Sequence, residues 1–247
     1  MGYGPFMAES YYGHRARLYY LDLYSQPEKI AEVILEAYDD GVKAINLVND
    51  KNLLKGFDLA CDNGCDMKVI ATIGKSEVDY LAPNYEVACD VDWEDDIELF
   101  SSYDTPVMMV DEFITDAYKW NLTSKILTRI NDSNSLSGIV TAFPYRTTDL
   151  LKDNIDLDLF DFYMLPLNSF AYMMDTPSFL KAQREEFRQK ILDLNKKIMA
   201  CRVLSVGIQT PEEGFTFLNS LDFVDLMTFG AASVEEIKKD MEVLKGI

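Results

Sequence analysis

The chain has 247 residues, 48% of them hydrophobic, and carries a formal net charge of −19 with four cysteines. So negative a surface excludes nucleic acid and anionic membranes as partners, because both need clustered Lys and Arg to displace counterions. With no run of about eighteen uninterrupted apolar residues and no basic patch or apolar core of a secretion signal at the N-terminus, the protein is expected to be cytoplasmic.

Eight short apolar runs, 2–6, 44–48, 69–73, 107–110, 138–142, 162–165, 198–204 and 224–229, each end in polar or turn residues and lead into an amphipathic stretch. Strands alternating with helices pair in parallel, since each crossover needs a helix to return the chain. Eight such units in a chain of this length predict a (β/α)8 TIM barrel, one α/β domain over 1–247. Catalysis in such barrels sits on the loops after the strands' carboxyl ends, so polar residues there are the candidates.

The first run is followed by Tyr11-Tyr12-Gly13-His14-Arg15-Ala16-Arg17-Leu18-Tyr19-Tyr20, which holds the sole histidine. Here His14, Arg15 and Arg17 form a positive island able to clamp a carboxylate or phosphate, because a guanidinium matches either in bidentate fashion. Pairing of the arginines with surface acids under a tyrosine lid is the alternative. Ser25-Gln26-Pro27 opens a helix over 28–40 that closes at Gly41, a residue suited to the left-handed turn ending helices. Strand two ends with Asn46 and Asn49, which can position a substrate by hydrogen bonding. A helix over 52–63 carries Cys61, one turn from Cys65; with Cys89 and Cys201 these read as buried or half-buried free thiols.

Strand three leads to Thr72 and Lys75. The acids between Asp90 and Glu98 are expected to form a solvated helix face, because no glycine sits where a calcium loop would turn. Strand four ends in Asp111 and Glu112, candidates for general base or divalent-metal ligand. Neighbours in an extended segment point opposite ways, so one is expected to face the mouth, and Asp111 is the choice. After a helix over 120–131, strand five leads to Tyr145 and Arg146, and strand six to Asn168. Within strand seven, Arg202 interrupts Ile198-Met199-Ala200-Cys201-Arg202-Val203-Leu204; so placed, it needs either an ionic partner such as Asp111 or Glu112, or a ligand. Thr210-Pro211-Glu212-Glu213 and Ser233-Val234-Glu235-Glu236 read as capping boxes opening the last two helices. The latter helix is expected to bury Ile237, Met241 and Leu244. Gly230, Ala231 and Ser233 form a candidate phosphate seat, where small residues let amides approach an anion at a helix N-terminus.

Gly2-Tyr3-Gly4-Pro5-Phe6, Asp40-Gly41-Val42-Lys43-Ala44-Ile45-Asn46, Val69-Ile70-Ala71-Thr72-Ile73-Gly74-Lys75 and Phe229-Gly230-Ala231-Ala232-Ser233-Val234-Glu235-Glu236 resemble the barrel framework of aldo/keto reductases. Gly13-His14-Arg15-Ala16-Arg17 and Asp161-Phe162-Tyr163-Met164-Leu165-Pro166-Leu167-Asn168 are more similar to a family of archaeal barrel proteins with no assigned reaction. The reductase resemblance implies an aspartate ending strand two, a tyrosine close by as proton donor, a lysine ending strand three and a histidine ending strand four. At those places stand Asn46, no nearby tyrosine, Thr72 or Ile73 with Lys75 displaced, and Asp111. The resemblance thus implies the fold without the catalytic tetrad.

Three functions follow as expectations. One is an enzyme acting on a small anionic metabolite, carboxylated or phosphorylated. The second is a degenerate reductase-like barrel binding a nicotinamide nucleotide. The third is a non-catalytic binding or assembly module, able to form a homo-oligomer through the Met173-Met174 loop and the tyrosine-rich segment. No specific motif marks either a nicotinamide nucleotide or a divalent metal as cofactor.

Overall fold

A computed structural model describes residues 1–80 and 82–247. Seven of the eight apolar runs form strands: β1 Ala44–Leu47, β2 Lys68–Ile73, β3 Val107–Val110, β4 Leu136–Val140, β5 Phe162–Pro166, β6 Lys197–Cys201 and β7 Leu226–Met227. All pair in parallel, in chain order, in one curled sheet of barrel type. Their near-continuous apolar character follows from burial on both faces, as in β3, where every residue is buried.

The run 2–6, expected as the first strand, is not one. Its start does lie between the outer strands, since Asn46 N donates to Met1 O and Gly2 N to Phe229 O, each at 2.8 Å. The chain then turns away: Met7 N donates to Tyr3 O and Glu9 N to Gly4 O, while Pro5 has no N–H to offer a ladder. The last strand is likewise shorter than the expected 224–229.

Eleven α-helices among the described residues cover the sheet or cross its mouth: α1 His14–Tyr19, α2 Pro27–Asp39, α3 Lys51–Asp62, α4 Tyr85–Cys89, α5 Trp93–Phe100, α6 Glu112–Asp116, α7 Trp120–Asn131, α8 Pro144–Asn154, α9 Lys181–Leu192, α10 Pro211–Asn219 and α11 Val234–Leu244. The crossover helices match the periodic stretches; the short α1, α4 and α6 carried too few turns to register as a period. Thr210 and Glu213 form the complete capping box expected for α10. Ser233 accepts from Glu236 N at α11, but the Glu236 carboxylate takes Ala232 N, so this box is only half formed.

The main core lies between sheet and helices and includes Ile30, Ile34, Ile45, Leu53, Phe100 and Phe187. A smaller cluster inside the curl joins Val107, Met109, Val140, Met164 and Met199. Gly138 permits this packing, because a Cβ there would fall 2.8 Å from both Phe162 O and the Met109 side chain. All four cysteines are free; Cys61, expected to be at least half buried, is exposed because it lies on the outer face of α3. No helix among the described residues is long and apolar enough to cross a membrane.

Candidate active site

A cavity of about 320 Å³ opens at the carboxyl ends of the strands. Asn46, Thr72, Asp111, Val140, Met164 and Arg202 line its inner part, and Pro211, Glu236, Lys239 and Asp240 its outer wall. The size is near the lower end of the range for small-molecule sites.

Arg202 is its centre. β6 ends at Cys201, and Arg202 turns out of the strand with φ +54°; Ser205 and Val206, in the same loop, also have positive φ. Left-handed backbone is costly for any side chain and most so for a β-branched one. Such strain persists where surrounding structure enforces it, and it tends to cluster at functional sites. The guanidinium is 7% exposed, and its Nη2 contacts both Glu112 oxygens at 2.7 and 2.8 Å. Tyr11 and Tyr80 present their rings to it, with centroids 5.0 and 5.6 Å from Cζ. Nε and Nη1, also buried, have no hydrogen-bond partner among the described residues.

Tyr80 donates to Glu112 Oε1. Burial pushes the Glu112 carboxyl up, but Arg202 and the Tyr80 hydroxyl outweigh it and leave the pKa below the ordinary value. Burial would lower the Arg202 pKa; Glu112 instead holds it well above its usual value. Both groups are therefore charged at neutral pH. A second, largely buried ion pair joins Lys75 Nζ and Glu9 Oε1 at 3.0 Å, and Lys75 lies over the rings of Tyr80 and Phe113.

Asp111 is the unpaired acid in this group. It is 1% exposed and among the described residues accepts one hydrogen bond, from Phe113 N at 3.0 Å, which caps α6. Burial, reinforced by Glu112, pushes its pKa up to about 7 against the pull of Lys75 and that amide. The expectation that only one of Asp111 and Glu112 faces the mouth is corrected: both line the cavity. The chain leaves β3 directly into α6, so the two residues occupy a cap and a first helical position instead of alternating along a strand.

The other candidates divide. Asn46 lines the cavity and donates to Ile70 O at 2.7 Å and Thr72 Oγ1 at 3.0 Å. Arg15 lines it too, reaching Val206 O and lying against Gly207, where a Cβ would come within 1.9 Å of Nη1. The positive island does not assemble, because His14 and Arg17 are exposed on α1 and outside the lining. Arg146 is also exposed and rests on the Phe143 ring. Asn168 is fully buried and ties its own loop, bonding Tyr172 twice and Arg202 O once. Of the phosphate seat, Gly230 lines the cavity and Ala231 and Ser233 do not. The amide of Ala232 is held by Glu236 at 2.7 Å, so an anion at this helix end would meet a carboxylate already in place.

Three contributors escaped the sequence reading. Tyr80 and Glu9 come from loops without any motif. Asp240 carried a signal, since it sits three residues after Ile237 on the buried face of α11 and is itself buried. No group of three or more His, Cys, Asp or Glu among the described residues is placed to hold a metal ion.

No family model and no curated protein matches the chain. Solved structures with this fold include a protein assigned to the aldo-keto reductases from Pseudomonas aeruginosa, with TM-score 0.59, 12% identity and coverage of 88% of this chain and 85% of that one. An aldo/keto reductase from Klebsiella pneumoniae in complex with NADP and acetate has TM-score 0.56 at 12% identity, covering 90% and 82%. A D-tagatose 3-epimerase-like protein has TM-score 0.51 at 14% identity, covering 83% and 87%. At these identities the likeness establishes the fold alone, that of a TIM barrel.

Proposed function

We propose that the chain is a barrel enzyme performing acid–base chemistry on a small organic acid, with Arg202 seating the carboxylate and Asp111 moving the proton. The observation that carries this reading is the pair of unpartnered Arg202 nitrogens in the cavity wall. A buried charged donor without an acceptor is costly, and a carboxylate completes it with charge-assisted hydrogen bonds. The rest of the centre permits an incoming anion. Lys75 and Arg202 are balanced by Glu9 and Glu112, so protonation of Asp111 leaves the interior without excess negative charge. An acid with a pKa near 7 is then set to donate to, or accept from, the bound molecule at neutral pH. Asn46 positions the substrate, and Arg15 adds positive charge at the rim.

A carboxylate is favoured over a phosphate because Glu236 already occupies the amide at the α11 N-terminus. The same acid, with Asp240, opposes the phosphates of a nicotinamide nucleotide along the outer wall. Carbonyl reduction in the aldo/keto reductase manner is disfavoured further by Asn46 and Asp111, which stand where the resemblance implies aspartate and histidine. A thermal-shift panel of small carboxylates, sugar phosphates, NADPH and divalent metals tests the reading, since binding to the native state raises Tm. Carboxylates are expected to raise it. A shift with NADPH and none with any carboxylate overturns the proposal.

A further inference from the structure

The cavity has a second pole, opposite in sign to Arg202. Asp240 lies on the outer wall, is 5% exposed, and its carboxylate makes no hydrogen bond or ion pair among the described residues. It stands on the face of α11 that buries Ile237, where an apolar residue would contribute burial without desolvating a charge. Burial, with Glu236 and Glu212 acting in the same direction against Lys239, pushes its pKa up to about 7. Glu236, one helical turn earlier, lines the same wall. Lys239 lines it as well, but adjacent residues on a helix are turned about 100° apart and do not face each other. Arg15, the other cation at this rim, is directed to Val206 O. The wall therefore presents a carboxylate without a hydrogen bond or ion pair among the described residues, with a second acid beside it.

The two ends of the cavity are thus incomplete in complementary ways: at Arg202 buried donors without acceptors, and at Asp240 a cavity-lining carboxylate with no hydrogen bond or ion pair among the described residues. We infer that the substrate is a zwitterion, an amino acid or a close relative, whose carboxylate goes to Arg202 and whose ammonium goes to Asp240 with Glu236 beside it. This rests on the carboxylate reading above and adds the amine. A zwitterion satisfies both poles while adding no net charge. A dianion would be repelled by the outer acids, and a simple amine would leave Arg202 unfilled.

The test measures binding to the full chain, by calorimetry at pH 7, of a series of ω-amino acids of increasing length beside the matched alkanoates and alkylamines. One length of amino acid is expected to bind about tenfold tighter than the alkanoate of that length, the gain expected of one charge-assisted contact. Asp240→Asn, which keeps the shape, should bring the two ligands to within about twofold of each other. Glu236→Gln, on an exposed residue whose change leaves the core untouched, should narrow the gap part of the way. Amino acids that bind no tighter than alkanoates to the wild-type chain overturn the inference and leave the carboxylate reading standing. A full preference retained in both variants also overturns it. Failure of alkanoates and amino acids alike to bind at any length removes the carboxylate reading together with this one.

Discussion

Asp111 and Asp116 flank one short helix, α6, and both carboxyls are pushed up to about 7, chiefly by burial. Their surroundings differ. Asp116 accepts from Thr141 Oγ1 at 2.5 Å, Ala142 N at 2.8 Å and Thr147 Oγ1 at 3.0 Å, and it lies outside the cavity lining. It is a bracket that joins α6 to the loop after β4 and the start of α8. Asp111 has one donor among the described residues and opens on the cavity. A displaced pKa is common to both, so it does not by itself separate a working acid from a structural one; spare hydrogen-bonding capacity facing an open volume does.

The largest effect should come from the centre next to Asp111. Arg202→Met strands Glu112 as a buried charge and is expected to cost about 3–5 kcal/mol in urea unfolding. A loss under about 1 kcal/mol would mean that the pair is solvated and the cavity floor open. Next, Asp116→Asn should cost about 2 kcal/mol, because its amide cannot accept from all three donors. Asp111→Asn should have the opposite sign, since asparagine caps α6 equally well and removes a carboxyl that the fold holds unfavourably.

The pH dependence sharpens that contrast. Unfolded, Asp111 titrates near its ordinary value of about 3.9, whereas folded it titrates at about 7. Below pH 4 both states hold the proton and the carboxyl costs nothing. Between pH 4 and 7 the folded state holds it alone, so wild-type stability falls as pH rises and levels off above 7. The stability gained by Asp111→Asn should therefore be near zero at pH 4 and grow by no more than about 4 kcal/mol by pH 8. A gap that is constant across this range would place the Asp111 pKa near its unfolded value. Smallest of all, Val206→Gly should relieve a left-handed β-branched residue and raise stability by up to about 1 kcal/mol, while loosening the loop that carries Arg202.

The alternation of apolar runs with capped amphipathic stretches made the barrel readable, because period and end signals are local properties of the chain. Run 2–6 misled: its residues suit a strand, yet only the start is paired, and Pro5 with the turns after Tyr3 takes the chain over the mouth. Arg202 was legible as a charge inside an apolar run, and its pairing with Glu112 was among the alternatives. That Glu112 and Asp111 both face the cavity was not legible, because it depends on α6 starting two residues after β3 ends, with Asp111 between them as its cap. Arg15 and Arg17 looked like one cluster by their spacing; in α1 they diverge, since residues two apart lie on different sides of a helix. Tyr80 and Glu9 reach the site through tertiary packing alone, which no spacing announces.

The most direct test of the central claim is the ¹H–¹⁵N signal of the Arg202 Nε–H, identified by its loss in Arg202→Lys and followed by NMR as a small carboxylate is added. If the free guanidinium edge is the seat of the substrate's acid, that signal moves downfield in proportion to occupancy and its hydrogen exchange slows. A carboxylate that binds and stabilises the protein while the signal stays where it was would contradict the account.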